Sequence, residues 1–96
     1  MTNMKAALIF RRKVMYADGR IIEAVIWRLP RKTIDRPHGY KYRLYYGYPG
    51  ECLVRYNNET AKGDHRHLDG AEFPYHFVSL SELLYDFNAD VKARGG

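Results

Sequence analysis

Between residues 4 and 57 apolar and polar side chains alternate with a period of two, and from residue 80 the period lengthens to that of a helix. Residues 4–16 and 20–29 therefore predict two strands. Ala17-Asp18-Gly19 joins them, because an Asp-Gly pair tolerates the positive φ that a tight hairpin turn requires. In the second strand Ile22, Ala24, Ile26 and Arg28 share one face, while Ile21, Glu23, Val25, Trp27 and Leu29 share the other. Val25 and Trp27 are expected in the core, with one face of the strand under a helix and the other meeting a partner. Prolines, a glycine and the cations Arg31, Lys32 and Arg36 then break the pattern over residues 30–39 and predict an exposed basic loop.

Alternation resumes in 40–48 and 51–57, a strand pair turned by Tyr48-Pro49-Gly50. There Tyr40, Tyr42, Leu44 and Tyr46 alternate with Lys41, Arg43 and Tyr45, so Lys41, Arg43 and Arg55 line a positive stripe. Residues 73–78 read as a short edge strand containing Pro74. The helix, 80–94, is the best-marked element. Ser79 and Glu82 have the spacing of a capping box, and Val78 and Leu83 that of a hydrophobic staple. Leu80, Leu83, Leu84, Phe87 and Val91 form its apolar stripe, with Glu82, Asp86 and Asp90 on the opposite flank. The fold class is α+β: an antiparallel sheet of about five strands (hairpin 4–29, then 40–48, 51–57 and 73–78) with one C-terminal helix across a face.

The chain has 96 residues, the size of one small domain spanning 1–96, whose modest core would gain from a partner or a homodimer. The net charge of +5 is unevenly spread. Residues 1–66 carry 14 Lys/Arg against 6 Asp/Glu, a net of +8, and residues 67–96 carry 2 against 5, a net of −3. A polyanion on the basic body, and an arginine of the chain itself near the acidic helix, are the expected complements. Cys52 is the one cysteine, which excludes an internal disulfide and a cysteine zinc site; it reads as a small core residue. With no membrane-length apolar run and no convincing signal segment, the expected location is cytoplasmic. No Walker loop, dinucleotide fingerprint, HExxH or Gly-x-Ser-x-Gly motif is present, and no cofactor is expected.

The densest chemistry lies in Arg55-Tyr56-Asn57-Asn58 and Lys62-Gly63-Asp64-His65-Arg66-His67-Leu68-Asp69. If extended, the second segment places His65, His67 and Asp69 on one face and Lys62, Asp64, Arg66 and Leu68 on the other. Three readings are open. Metal-free phosphoryl transfer would use His65 and His67 as base and acid in either order, since histidine titrates near neutrality. Lys62, Arg66 and Arg55 would then stabilise the developing charge, with Tyr56, Arg43 and Lys41 holding the substrate. A metal site would use the two imidazoles with Asp69 or His76, although the neighbouring cations oppose it. The third reading is a solvated polar loop. His38 and His76 read as structural or surface residues, His76 being the better candidate for a site.

These residues resemble the TumE family of prokaryotic toxins. The resemblance is carried by Ile26-Trp27, Tyr40-Lys41-Tyr42-Arg43-Leu44, Arg55-Tyr56-Asn57-Asn58, Lys62-Gly63-Asp64-His65-Arg66-His67, Tyr75-His76-Phe77 and Leu84-Tyr85-Asp86-Phe87. It departs at Asn57, where relatives are expected to have aspartate. The resemblance implies a growth-inhibiting toxin with a cognate helix-turn-helix antitoxin. By analogy with other toxins of this size, metal-independent endoribonuclease action on RNA is expected. The rivals are a non-enzymatic RNA- or DNA-binding module that stacks bases on a tyrosine-rich sheet, a metal-dependent nuclease using the His-x-His pair, and a pure interaction protein.

Overall fold

A computed structural model describes residues 5–59 and 62–96. Six antiparallel strands run in sequence order across one sheet: β1 (Ala7–Met15), β2 (Ile21–Arg28), β3 (Tyr40–Tyr48), β4 (Glu51–Glu59), β5 (Gly63–Leu68) and β6 (Ala71–Pro74). Helix α1 (Leu80–Lys92) follows. The α+β class and the C-terminal helix match the sequence pattern, and the strand count rises from about five to six. The additional strand is β5, the His-x-His segment itself. The expected start of the first strand at Met4 lies outside the described residues.

Short turns set most of the registers. At the first hairpin Gly19 has φ 95°, and the Asp18 carboxylate accepts from both the backbone and the guanidinium of Arg20. Asp69 and Gly70 join β5 to β6 with both φ values positive, 51° and 89°, the signature of a two-residue type I′ turn. That turn pairs His67 with Glu72 and His65 with Pro74. Strand β6 stops at Pro74, which has no N–H for the ladder, so the strand expected over 73–78 is displaced toward the turn. In β3 Gly47 crosses so close to β4 that a Cβ there would strike the Leu53 nitrogen at 2.9 Å and the Cys52 Cα at 3.1 Å.

The helix covers one face of the sheet. Beneath it lie Ile22, Ala24 and Ile26 of β2, Tyr42, Leu44 and Tyr46 of β3, and Val54 and Tyr56 of β4, packed against Leu83, Phe87 and Val91. Ser79 caps the helix by accepting from the Glu82 N–H at 3.1 Å, while Val78 stays exposed. The core of β2 is thus the Ile22–Ala24–Ile26 parity. Val25 and Trp27, expected inside, sit half-buried on the opposite, helix-free face.

Tyrosines dominate this core, and each hydroxyl needs a partner there. Tyr42 donates to Asp64 at 2.6 Å, Tyr75 to Asp86 at 2.6 Å, Tyr46 to the Arg94 carbonyl at 3.0 Å, and Tyr56 to Asp90. Asp86 and Asp90 therefore meet the sheet, and do not line a solvated flank of the helix. The acidic C-terminal third also finds its arginines: Arg66 reaches Asp90 at 3.4 Å, and Arg94 reaches Asp69 at 2.9 Å. The basic loop after β2 is pinned as well. His38 stacks on Phe77 at 3.9 Å and bonds Asp64 at 2.9 Å, and Arg36 donates to the Asn58 carbonyl.

Candidate functional site

Strand parity sorts the candidate residues onto two sides of the sheet. The register carries one row across β1 to β6 as Lys13–Glu23–Tyr45–Arg55–His67–Glu72, and its neighbour as Arg11–Val25–Arg43–Asn57–His65–Pro74. Both rows lie on the face without the helix, beside Trp27 and Lys41. His65, His67, Arg55, Arg43 and Lys41 are thus brought to one surface. Lys62 borders the same site at the sheet edge, lining a hollow of about 330 Å³ with His65 and Glu72. Its amine lies 3.7 Å from Glu59, and both side chains are more than half exposed.

Arg66 and Tyr56 go to the other side. Tyr56 has no exposed surface, and its hydroxyl is taken by Asp90 and by Arg66 Nη1 at 3.0 Å. Burial first, and then the neighbouring carboxylate, push the phenol well above its ordinary pKa. Neither residue shares a surface with the histidines, because a step of one residue along a strand crosses the sheet. Both side chains pack under the helix, on the side of the sheet opposite the histidines.

At the histidine pair the geometry is specific. His65 is nearly buried, and its Nδ1 donates to the Gly63 carbonyl at 3.2 Å, which leaves Nε2 as the nitrogen not engaged by that bond. The two imidazoles meet edge to face with centroids 5.3 Å apart. Arg55 Nη2 donates to His67 Nε2 at 3.0 Å, while a Glu72 carboxylate oxygen stands 3.1 Å from the same nitrogen. One nitrogen cannot accept from Arg55 and donate to Glu72 at once. The two contacts therefore belong to two protonation states of one imidazole. Burial, and then the Arg55 and His65 charges, hold the His67 pKa below its usual 6.5, with Glu72 opposing them.

Among the described residues, two side-chain atoms on this face are buried without a partner, Arg55 Nε and Asn57 Oδ1; Arg66 Nε is a third, on the helix side. Asn57 is only 6% exposed and lies between Arg43 and His65 in the register. Its amide donates only a long bond, 3.4 Å, to Glu59. Buried groups of this kind are costly unless water or another polar group reaches them.

Glu72 is the residue that the sequence reading missed. Asp69-Gly70 carries the same hairpin signal as Asp18-Gly19, and it alone would have folded Glu72 back onto His67. Asp69 itself occupies the turn and is held by Arg94, so it does not join the histidines. His76 lies beyond β6 and is exposed. Among the described residues, one set has the spacing to hold a metal ion: His65, His67 and Glu72, with ligand atoms within 4.8 Å of one another.

No helix of the described residues is long and apolar enough to cross a membrane. Compared with known families, residues 5–95 match the model of the family described as Toxin TumE. No curated protein and no solved structure matches the chain.

Proposed function

The chain belongs to the TumE toxin family, and we propose that it acts as a metal-independent endoribonuclease whose centre is the helix-free face around His65 and His67. The observation that carries this reading is the His67 Nε2 atom shared between Arg55 and Glu72. His67, held neutral, is the base, and His65 is the acid. As the 2′-hydroxyl oxygen attacks phosphorus, its proton passes to His67 Nε2. The bond from phosphorus to the 5′-oxygen breaks, and His65 Nε2 protonates that oxygen. The products are a 2′,3′-cyclic phosphate and a 5′-hydroxyl, so every proton is placed.

Arg55 has a double part. In the free protein it occupies the lone pair of the base; a bound phosphate draws the guanidinium to itself and releases that lone pair. Glu72 then steadies the imidazolium that forms. Arg55 and Lys62 supply the cations around the phosphorane-like charge, and Arg43 and Lys41 hold the substrate further along the sheet. The antitoxin expected of a toxin family is proposed to be a helix-turn-helix protein, and a second copy of the chain remains a further candidate partner.

A second reading has its own observation: the His65, His67 and Glu72 ligand atoms also suit a divalent ion, which would make this a metal-dependent nuclease. The Arg55 guanidinium 3.0 Å from one ligand atom weighs against it. Incubating the purified protein with RNA in EDTA separates the two. Cleavage that persists in the chelator supports the metal-free reaction. Cleavage abolished by EDTA and restored by a divalent ion supports the metal site. Intact RNA in both conditions favours a binding module without turnover.

A further inference from the structure

Among the described aromatic residues of the helix-free face, Tyr45 is buried with its hydroxyl donating to the Tyr48 carbonyl, whereas Trp27 is half-buried and placed to meet a base. Tyr42, Tyr46 and Tyr56 are buried beneath the helix with their hydroxyls engaged, so the tyrosine-rich face is closed to a ligand. Trp27, the chain's only tryptophan, lies on the helix-free face between Leu8 of β1 and Lys41 of β3. Beside it is a hollow of about 270 Å³ lined by Glu23, Val25, Trp27, Lys41 and Arg43. That is slightly smaller than a typical drug-sized pocket of ~300–1,000 Å³, and it suits one planar ring system.

We propose that this hollow is a nucleobase subsite for single-stranded RNA, in which a base stacks on Trp27 while Lys41 and Arg43 hold the adjoining phosphates. The proposal rests on the reading of this face as the RNA-cleaving surface, and it extends that surface across the sheet. Val25, Arg43, Asn57 and His65 are successive cross-strand neighbours, so the β2 wall of the hollow lies three strand spacings from His65, about 14 Å at ~4.8 Å each, and its β3 wall two. The base in the hollow therefore belongs to a nucleotide other than the two flanking the cleaved bond. Between the two places lie Asn57 and Arg55, in the cross-strand rows that join them. The flanking cations and the stacking surface together fit single strands, whose bases are unpaired and free to turn into a hollow.

The test uses the wild-type chain and a short single-stranded 2′-O-methyl RNA oligonucleotide, which lacks the attacking hydroxyl and stays intact. Trp27 fluorescence reports the hollow, and anisotropy of a labelled oligonucleotide reports binding independently. Saturable quenching is expected, with Trp27→Ala weakening binding roughly tenfold and Trp27→Phe restoring most of it. Circular dichroism verifies that the variants fold, and Trp27→Phe serves as the milder probe if the alanine variant does not. Undiminished binding by anisotropy with no quenching, or equal quenching by duplex RNA, would overturn the subsite while leaving the RNA reading standing. Absence of binding in both signals would overturn both. Quenching by an acidic antitoxin segment and not by RNA would make the hollow a protein-docking surface and end the proposal.

Discussion

Replacing Arg66 by methionine separates a structural arginine from a catalytic one. Arg66 lies next to His67 in sequence, but its guanidinium is on the helix side, donating to Tyr56 at 3.0 Å and to Asp90 at 3.4 Å. It also faces the Tyr56 ring with its central carbon 5.9 Å from the centroid. Methionine keeps much of the stem's packing and removes the charge. A hydrogen bond to a charged group contributes ~1.5–3 kcal/mol when well buried. Here the side chains are 35% and 20% exposed, so water replaces part of what is lost. The expected loss is about 1–2 kcal/mol, or a fall in Tm of about 5–15 °C for a domain of this size. Thermal unfolding followed by circular dichroism measures it. RNA cleavage, assayed well below the lowered Tm, should stay within about twofold of wild type. Arg55→Met should show the reverse, with little change in Tm and a rate lowered about 10²-fold or more. An Arg66→Met protein that melts like wild type and loses cleavage as severely as Arg55→Met would refute the assignment of Arg66 to the fold.

The depressed His67 pKa gives a pH prediction with a definite sign. The unfolded chain takes up this proton more readily than the folded one, so stability falls as pH drops through the window below 6.5, and the neutral base is lost in the same window. The acid limb of kcat/KM should therefore lie below 6.5; Glu72→Gln should move it lower still, and a limb that rises on that substitution contradicts the role of Glu72. Gly47→Ala should destabilise the fold by about 1–3 kcal/mol in chemical denaturation, because its methyl group meets the backbone of β4. An unchanged denaturation midpoint would show that the two strands can part at that point without penalty.

Much of this molecule is readable in its alternation of side chains. Period two identifies the strands, and it already separates His65 and His67 from Arg66, and Arg55 from Tyr56. Density of charge along the sequence argues for grouping them; geometry forbids it. The orientation of β2 is harder, since apolar residues occupy both of its faces. Two-residue turns fix registers within hairpins, but residues 29–39 leave the β2–β3 register unfixed. Only that register reveals that Ile22, Ala24 and Ile26 join the tyrosine parity of β3. Lys41, Arg43 and Arg55 then exclude the other parity from the helix, because three cations cannot be buried there. Glu72 is a different kind of omission: the Asp69-Gly70 turn is legible, and it carries the carboxylate to the imidazole. The unpartnered Asn57 oxygen is not legible in this way, since an unsatisfied atom is a property of packing alone.

The central claim is that two histidines move protons without a metal, and the ends of the cleaved RNA report on it most directly. RNA is digested in EDTA by wild type and by His67→Ala, and the termini of the fragments are identified chemically. The proposal predicts 2′,3′-cyclic phosphate and 5′-hydroxyl ends from wild type. It also predicts intact RNA from a variant whose circular dichroism is unchanged. Fragments bearing 5′-phosphate ends, or undiminished cleavage by His67→Ala, would contradict it.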